Sequence, residues 1–557
     1  MTDESGRIRA ALDAAYASAA KLTSGKNADY IPFLAGVPSG LFGLAVVTVD
    51  GAVYEQGDTR YEFAIESISK VSTLAAAIEE VGPEQLRAKV GADPTGMPFN
   101  SVIALELHDD RPLSPLVNAG AMATVSLLQA PDAEARWAKI LAMQSRLAGR
   151  PIRITQIATR TPDRARDLVQ RSEPVGLTAD ADALVRRDDI DIVLELIGGI
   201  EPARSLVLSA IARGKHVVTA NKALLATHGN EIFAAAQAAG VMVAFEAAVG
   251  GGIPIIKALR EGLTANRIAW IAGIINGTSN FILSEMRRTG AAFATALQEA
   301  QVRGYAEADP TFDVEGIDAA HKLAIMSAIA FGVPMQFDKA YTEGISKLML
   351  EDIRYAEELG YRIKLLGITR RASVGQREGI ELRVHPTLVP ATRLIANVEG
   401  AMNAVLVKAD AVGSTLYYGP GAGAEPTASA VIADLVDVTR MHTADPEHRV
   451  PHLAFQPDQL SDIPFLPMGE VVTSYYLRLR VQDRPGVLAD ITRILADRDI
   501  SIDAMIQKEP AEGVEQTDII LLTHQSIERQ VSDAIERIEA LPTVHGKVVR
   551  IRMEQLS

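Results

Sequence analysis

From residue 152 to residue 245 short apolar runs alternate with helix-period stretches, and this alternation limits the possible folds more than any other feature. Residues 152–158, 190–196, 216–219 and 241–245 read as strands, and 162–170, 201–213 and 231–239 as helices. Strand, helix, strand in series implies a parallel sheet covered by helices. A strand over 268–275 then opens a mixed region with long helices up to about residue 331. The C-terminal stretch reads βαββαβ, at 476–481, 486–497, 503–508, 517–523, 527–541 and 548–553, the pattern of a small split-βαβ sandwich.

Upstream of residue 150 the text differs. Residues 2–22 read as a helix, and 46–49 and 52–54 alternate around Asp50-Gly51, a two-residue hairpin signal. A helix is expected over 69–80, then Gly-, Pro- and Asn-rich loops up to Asn118, and a last helical stretch to about 147. The change at Ala148-Gly149-Arg150-Pro151 marks a domain boundary, and 557 residues are too many for one core. The expected domains are 1–150, 151–248, 249–465 and 474–553.

Net charge is −15 and no dense Lys/Arg block occurs, which argues against nucleic acid and anionic membranes as partners. The start, Met1-Thr2-Asp3-Glu4-Ser5, is polar and acidic, unlike a signal peptide, and the longest apolar run, around 323–335, is too short to span a bilayer. There are no cysteines, which excludes disulfides, zinc-thiolate sites and thiol nucleophiles, and fits a cytoplasmic protein.

A parallel sheet of this type binds dinucleotides through Gly-x-Gly-x-x-Gly between its first strand and helix, where backbone N–H groups meet the pyrophosphate. That loop is absent: the chain enters the pattern at what would be the second strand. The expected fold is therefore α/β, a truncated Rossmann-like sheet with a mixed α+β domain and the C-terminal βαββαβ module. Ala158-Thr159-Arg160 ends the second strand, where an Arg suits a ribose 2′-phosphate, so Arg160 hints at NADP(H).

Ser67-Ile68-Ser69-Lys70 places a hydroxyl and an amine one helical turn apart at a loop-to-helix transition. By itself this is an ordinary helix start. Together with residues 25–32 (including Tyr30), 91–101 and Pro115-Leu116-Val117-Asn118-Ala119-Gly120-Ala121, residues 1–150 resemble the first half of a serine-dependent glutaminase of the β-lactamase-like fold. The resemblance implies Ser67 as nucleophile, Lys70 as its base and Asn118 as a glutamine contact, with Tyr30 near the site. The later part of that family's pocket and sheet has no counterpart in the sequence.

A longer series follows: residues 192–199, then Gly214-Lys215-His216-Val217-Val218-Thr219-Ala220-Asn221-Lys222, then Phe245-Glu246-Ala247-Ala248-Val249-Gly250-Gly251-Gly252-Ile253-Pro254, then Asn276-Gly277-Thr278-Ser279-Asn280 and Gly304-Tyr305-Ala306-Glu307-Ala308-Asp309-Pro310. From about 150 to 557 the chain resembles homoserine dehydrogenase. Asp318 and Lys322 stand at i, i+4 on a helix expected over 315–331. Carbonyl reduction needs a cation or acid at the oxygen that gains charge, which Lys322 suits. It also needs carboxylates for the substrate amine, which Glu307 and Asp318 suit. The bland alternative is a surface ion pair.

The resemblance implies Lys322 as proton donor with Asp318 as its partner, and Glu307 and Gly304 as homoserine contacts. Lys222, at a strand end beside Thr219, falls between nicotinamide and substrate. Gly421 and Gly423 belong to a late glycine-rich return to the cofactor. Glu246, with the carbonyls of Val249, Gly251 and Ile253, resembles the family's monovalent-cation site, suited to sodium.

The tail, through Gln482-Asp483-Arg484-Pro485-Gly486-Val487-Leu488, resembles an ACT domain, a module that pairs and binds amino acids, with the 483–486 loop over the effector. In this family that implies threonine as effector and a homodimer or homotetramer. Three readings follow: an NAD(P)-dependent homoserine dehydrogenase interconverting L-homoserine and L-aspartate 4-semialdehyde, a glutaminase through Ser67 and Lys70, or a catalytically silent amino-acid-binding chimera.

Overall fold

The computed structural model describes residues 2–20, 37–47, 53–59, 69–91, 111–116, 118–132, 136, 139–140, 143, 153–163, 165, 175–375, 377–441, 449–510 and 513–556. The chain divides into two compact units, Met1–Arg150 and Pro151–Ser557.

In the first unit, α1 (Thr2–Ala19) precedes the antiparallel pair β1 (Gly43–Val47) and β2 (Val53–Gly57). The helices α2 (Ser69–Lys89) and α3 (Asn118–Leu127) follow. α2 runs past the expected end at residue 80 because Gly82, at φ 79°, kinks the backbone and Pro83 then restarts the helix. Its apolar face meets α3 over a small cluster that includes Ala77, Val90 and Leu128.

The second unit begins with β3 (Gln156–Ala158), β4 (Gly176–Thr178), α4 (Ala181–Arg186), β5 (Ile192–Glu195), α5 (Ala203–Ala212), β6 (His216–Thr219), α6 (Lys222–Ala239) and β7 (Val243–Ala244). All pairings here are parallel, but β3–β4 and β5–β6–β7 are separate sheets. The expectation of a single sheet is corrected on this point. In a doubly wound sheet the first strand lies between the second and the fourth. Among the described residues no strand pairs with the outer edge of β5, and Leu194 on β5 is 38% exposed. The sequence reading also missed β4 and α4, and started α6 at residue 231. Asn221 caps α6 much earlier, accepting the Leu224 N–H at 3.0 Å and donating to the Gly199 carbonyl at 2.7 Å.

The mixed region holds β8 (Ile268–Ile274), α7 (Gly277–Thr289), α8 (Phe293–Val302), α9 (Thr311–Val314), α10 (Ile317–Phe331), β9 (Tyr341–Thr342), α11 (Leu350–Glu358), the hairpin β10 (Tyr361–Val374) and β11 (Arg377–Pro390), β12 (Met402–Ala409), β13 (Gly413–Pro420) and α12 (Ala424–Met441). α10 is buried along its whole described length from Asp318 to Phe331, so an apolar helix carries two buried charged residues into the core. The C-terminal module is β14 (Val472–Gln482), α13 (Val487–Ala496), β15 (Ile502–Gln507), β16 (Gln516–Thr523), β17 (Ser526–Ile527), α14 (Glu528–Glu539) and β18 (Val549–Met553), within a few residues of the expected bounds.

This module is not a separate bead. β18 pairs in parallel with β11 through Thr387↔Arg552 and antiparallel with β14, joining both regions in one eleven-stranded sheet. The seam is closed by charge. The fully buried Arg552 binds Glu528 at 2.6 Å and Glu343 at 2.7 Å, and the fully buried Arg383 binds Glu554 at 2.6 Å. Burying an arginine is tolerable only with such partners. Among the described residues no helix is long and apolar enough to cross a membrane.

Candidate active site

Three segments converge on one buried carboxylate. Lys322 Nζ donates to Asp318 Oδ2 at 2.7 Å and to the Ile275 carbonyl at 2.8 Å. Lys222 Nζ, from the first turn of α6, lies 3.1 Å from Asp318 Oδ1. Asn276, the N-cap of α7, donates to Asp318 Oδ2 at 2.9 Å. Burial would push the Asp318 carboxyl up, but the charges of Lys322 and Lys222 and the hydrogen bonds of Lys322 and Asn276 outweigh it and bring the group down to about 2. Asp318 is 4% exposed, so the surface-pair alternative fails. Both of its oxygens are engaged by protein donors.

Asp313, on α9, is a second carboxylate beside this cluster. It is half-buried, accepts Asn276 Nδ2 at 2.7 Å through Oδ1, and desolvation moves its carboxyl up. In the sequence analysis Asn276 occurs only within the Asn276–Asn280 run, and neither it nor Asp313 has a role there. The available signal was Asn276 followed three residues later by Ser279, a helix start whose cap bond is present at 2.8 Å. Glu307 is exposed after α8, its carboxylate without a hydrogen bond or ion pair among the described residues, and Gly304 adopts φ 74° just before it. His321 is packed between Phe312 and Phe337, and its buried Nδ1 has no partner among the described residues. Desolvation lowers it to about 4.

On the sheet side, the Thr219 hydroxyl donates to Glu195 Oε2 at 2.7 Å and accepts the Asn221 N–H at 3.0 Å. It therefore shapes the strand-end turn ahead of Lys222. Glu195 Oε1 in turn accepts the N–H groups of Ile197 and Gly198. Gly421 packs against Gly251 and against the Asn403 amide so closely that a Cβ on either glycine would clash with backbone or side chain. Gly423, at φ 124°, leads into α12. Arg160 is exposed at the end of β3. No glycine-rich pyrophosphate loop precedes β3 in the sequence.

The Glu246 carboxylate accepts the Ile256 and Lys257 N–H groups at 2.8 and 2.9 Å, and its own N–H donates to Asp434 at 2.7 Å. Desolvation pushes Glu246 up to about 7 and Asp434 to about 6, the mark of buried carboxyls short of positive charge. Lys257 pairs with Asp437 instead. Val249, Gly251 and Ile253 lie on the same turn, with Gly250 and Gly251 at positive φ, and the Ile253 carbonyl also accepts the Ile255 N–H. One carboxylate and neighbouring carbonyls suit a weakly charged hard cation.

Of the glutaminase-like residues, Ser67 and Tyr30 lie outside the described residues, as does the Asn118 side chain. Lys70 opens α2 and donates to the Leu116 carbonyl at 3.2 Å.

Comparison with known proteins settles the family. A homoserine dehydrogenase model matches residues 254–436, the NAD-binding domain model of homoserine dehydrogenase matches 133–246, and an ACT model matches 475–543. The homoserine dehydrogenase of Pseudomonas aeruginosa is 62% identical over 413 residues, which is 74% of this chain and 93% of that protein. The chain belongs to the homoserine dehydrogenase family. The Neisseria gonorrhoeae enzyme is 58% identical over 414 residues, again 74% of this chain and 93% of that one. The crystal structure of a homoserine dehydrogenase from Thiobacillus denitrificans superposes with a TM-score of 0.69 at 63% identity, covering 84% of this chain and 97% of that one.

The chain is thus an oxidoreductase of amino-acid biosynthesis with a nicotinamide-binding domain and an ACT domain of the kind that binds amino-acid effectors. A glutaminase model matches 25–170 only, an N-terminal segment. The NAD-binding match begins at 133, inside the segment read as glutaminase-like, so the two resemblances overlap across the boundary at residue 150.

Proposed function

We propose that Lys322 is the proton donor for interconversion of L-aspartate 4-semialdehyde and L-homoserine, and that Asp318, Lys222 and Asn276 hold it in place. The observation that carries this is the buried carboxylate of Asp318 shared between two lysines from different segments. In the reducing direction the carbonyl oxygen lies against Lys322 Nζ, which releases a proton to it. Asp318 then stabilises the lysine that must be reprotonated. Lys222, about a third exposed, stands at the mouth of the site between cofactor and substrate. Asp313 and Glu307 supply the negative charge for the substrate ammonium, with Gly304 shaping the loop that carries Glu307. When bound, the nicotinamide cofactor supplies or accepts the hydride.

Arg160 favours NADP(H), with Thr219, Lys222, Gly421 and Gly423 around the cofactor. A sodium ion is held by Glu246 and the carbonyls of Val249, Gly251 and Ile253. Threonine binds the ACT domain and inhibits, the chain works as a homodimer or homotetramer in the cytoplasm, and the domains are 1–150, 151–248, 249–465 and 474–553. The missing pyrophosphate loop removes several charge-assisted hydrogen bonds of about 1.5–3 kcal/mol each, so cofactor affinity is expected to be weak. The test is homoserine-dependent NADP⁺ reduction by the purified chain up to millimolar cofactor. Turnover supports the assignment, and folded protein without turnover refutes it.

A further inference from the structure

We infer that Asn276 is a positioning residue that ties the substrate-binding carboxylate Asp313 to the proton-transfer pair Asp318–Lys322, so that one amide sets both substrate seating and proton delivery. The inference rests on the reading of Lys322 and Asp313 given above.

The orientation of the amide is determined by its own helix. Asn276 Oδ1 accepts the Ser279 N–H at 2.8 Å, which caps α7. Only Nδ2 then remains to face the carboxylates, and it donates to Asp313 Oδ1 at 2.7 Å and Asp318 Oδ2 at 2.9 Å. A flipped amide would lose the cap and aim an acceptor at two carboxylates. The side chain is 5% exposed, so water cannot easily take its place. The next carbonyl upstream, that of Ile275, accepts Lys322 Nζ at 2.8 Å. Two consecutive residues at one helix start thus hold both the lysine and its carboxylate. Ser279 Oγ adds a bond to the Asp313 carbonyl at 3.0 Å, fixing α9 against the same helix end. The charged groups facing Asp313 are Asp318 and Lys322 of α10, with Lys222 of α6 beyond Asp318. Two carboxylates bonded to one NH₂ repel each other, and the shared donor offsets part of that repulsion, beside the larger effect of the two lysines on Asp318.

The experiment uses Asn276→Ser, since serine keeps a cap acceptor and deletes the donor, and Asn276→Asp, which replaces the donor by a charged acceptor. For Asn276→Ser the expected result is a lowered melting midpoint, since two buried carboxylates each lose a donor, and a kcat about 10–100-fold lower. KM for homoserine rises while KM for NADP⁺ stays unchanged. The acid limb of the kcat/KM profile moves up by about one pH unit, because a carboxylate stripped of a donor protonates more readily. Asn276→Asp falls further than Asn276→Ser. A purely structural role predicts the lower melting midpoint with an unmoved pH profile and an unmoved KM for homoserine, and that result overturns the inference, as does wild-type kcat and homoserine KM in Asn276→Ser. Calorimetric binding of homoserine is measured in parallel without turnover. If the wild type binds but does not turn over, and Asn276→Ser binds at least tenfold more weakly, the dehydrogenase assignment falls and the role of Asn276 in seating substrate stands. A wild type that binds no homoserine overturns both.

Discussion

Replacing Lys322 by alanine removes an amine that touches both Asp318 and the Ile275 carbonyl. The expected consequence is large in rate and modest in stability, and the structure gives the reason for each. A positioned proton donor contributes about 10²–10⁴ in rate. That corresponds to roughly 3–5 kcal/mol of barrier. Deleting one partner of a buried ion pair usually costs about 3–5 kcal/mol, because the survivor is stranded. Here Asp318 keeps Lys222 at 3.1 Å and Asn276 at 2.9 Å, so it is not stranded. The remaining loss is one bond to Asp318 and an unfilled Ile275 carbonyl, about 1–3 kcal/mol. The assay is homoserine-dependent NADP⁺ reduction followed by the absorbance of the reduced nicotinamide, alongside chemical denaturation. Lys322→Met, which refills the volume, serves as the folding control. Both variants are expected to lose at least a hundredfold in kcat with KM for NADP⁺ unchanged. A folded Lys322→Met within tenfold of wild type refutes the assignment of the proton donor.

Other outcomes follow from the same structure. His452 is stacked on Phe233, accepts the Val243 N–H at 3.1 Å, and is held down to about 4 by desolvation. Its folded-state value lies below the unfolded one, so its contribution is present above pH about 6.5 and lost as pH falls towards 4; the stability advantage of wild type over His452→Gln should shrink across that window, and an unchanged difference refutes it. Exchanging sodium for choline at constant ionic strength should lower the melting midpoint of the wild type but not of Glu246→Gln, and equal responses exclude a cation at Glu246. Threonine should raise the midpoint and inhibit turnover. Gly486 stands at φ 97° with open space around it, so Gly486→Ala meets backbone strain of about 1–2 kcal/mol and no clash, and should weaken threonine binding several-fold; an identical dissociation constant by calorimetry rules out a role for that loop.

The C-terminal module was legible because each of its elements follows a local rule: alternation in the second half of β14, a continuous apolar run in β16, an apolar stripe on α13 and α14, and a glycine at the start of α13. The pairing of Asp318 with Lys322 was legible for the same reason, since i, i+4 neighbours meet on any helix. The family series around Thr219, Glu246 and Glu307 was equally readable, as continuous text. The start of α6 was misplaced because its signal is a single side chain, Asn221, whose capping bond to Leu224 is visible only once the strand before it has ended.

What the residues by themselves determine here is the type of most elements, the missing phosphate loop and the family series that supplies the candidate groups. What only tertiary structure decides is which of those groups meet. Lys222 reaches Asp318 because α6 and α10 pack together, and Asn276 reaches Asp313 because the start of α7 faces α9. The same holds for the sheets. Among the described residues the parallel strands form two sheets, β3–β4 and β5–β6–β7, while β18 fuses the C-terminal module to β11 through buried arginine–glutamate pairs. Pairing between distant segments depends on edges and buried charge brought together by the whole fold, and no periodicity within either segment encodes it.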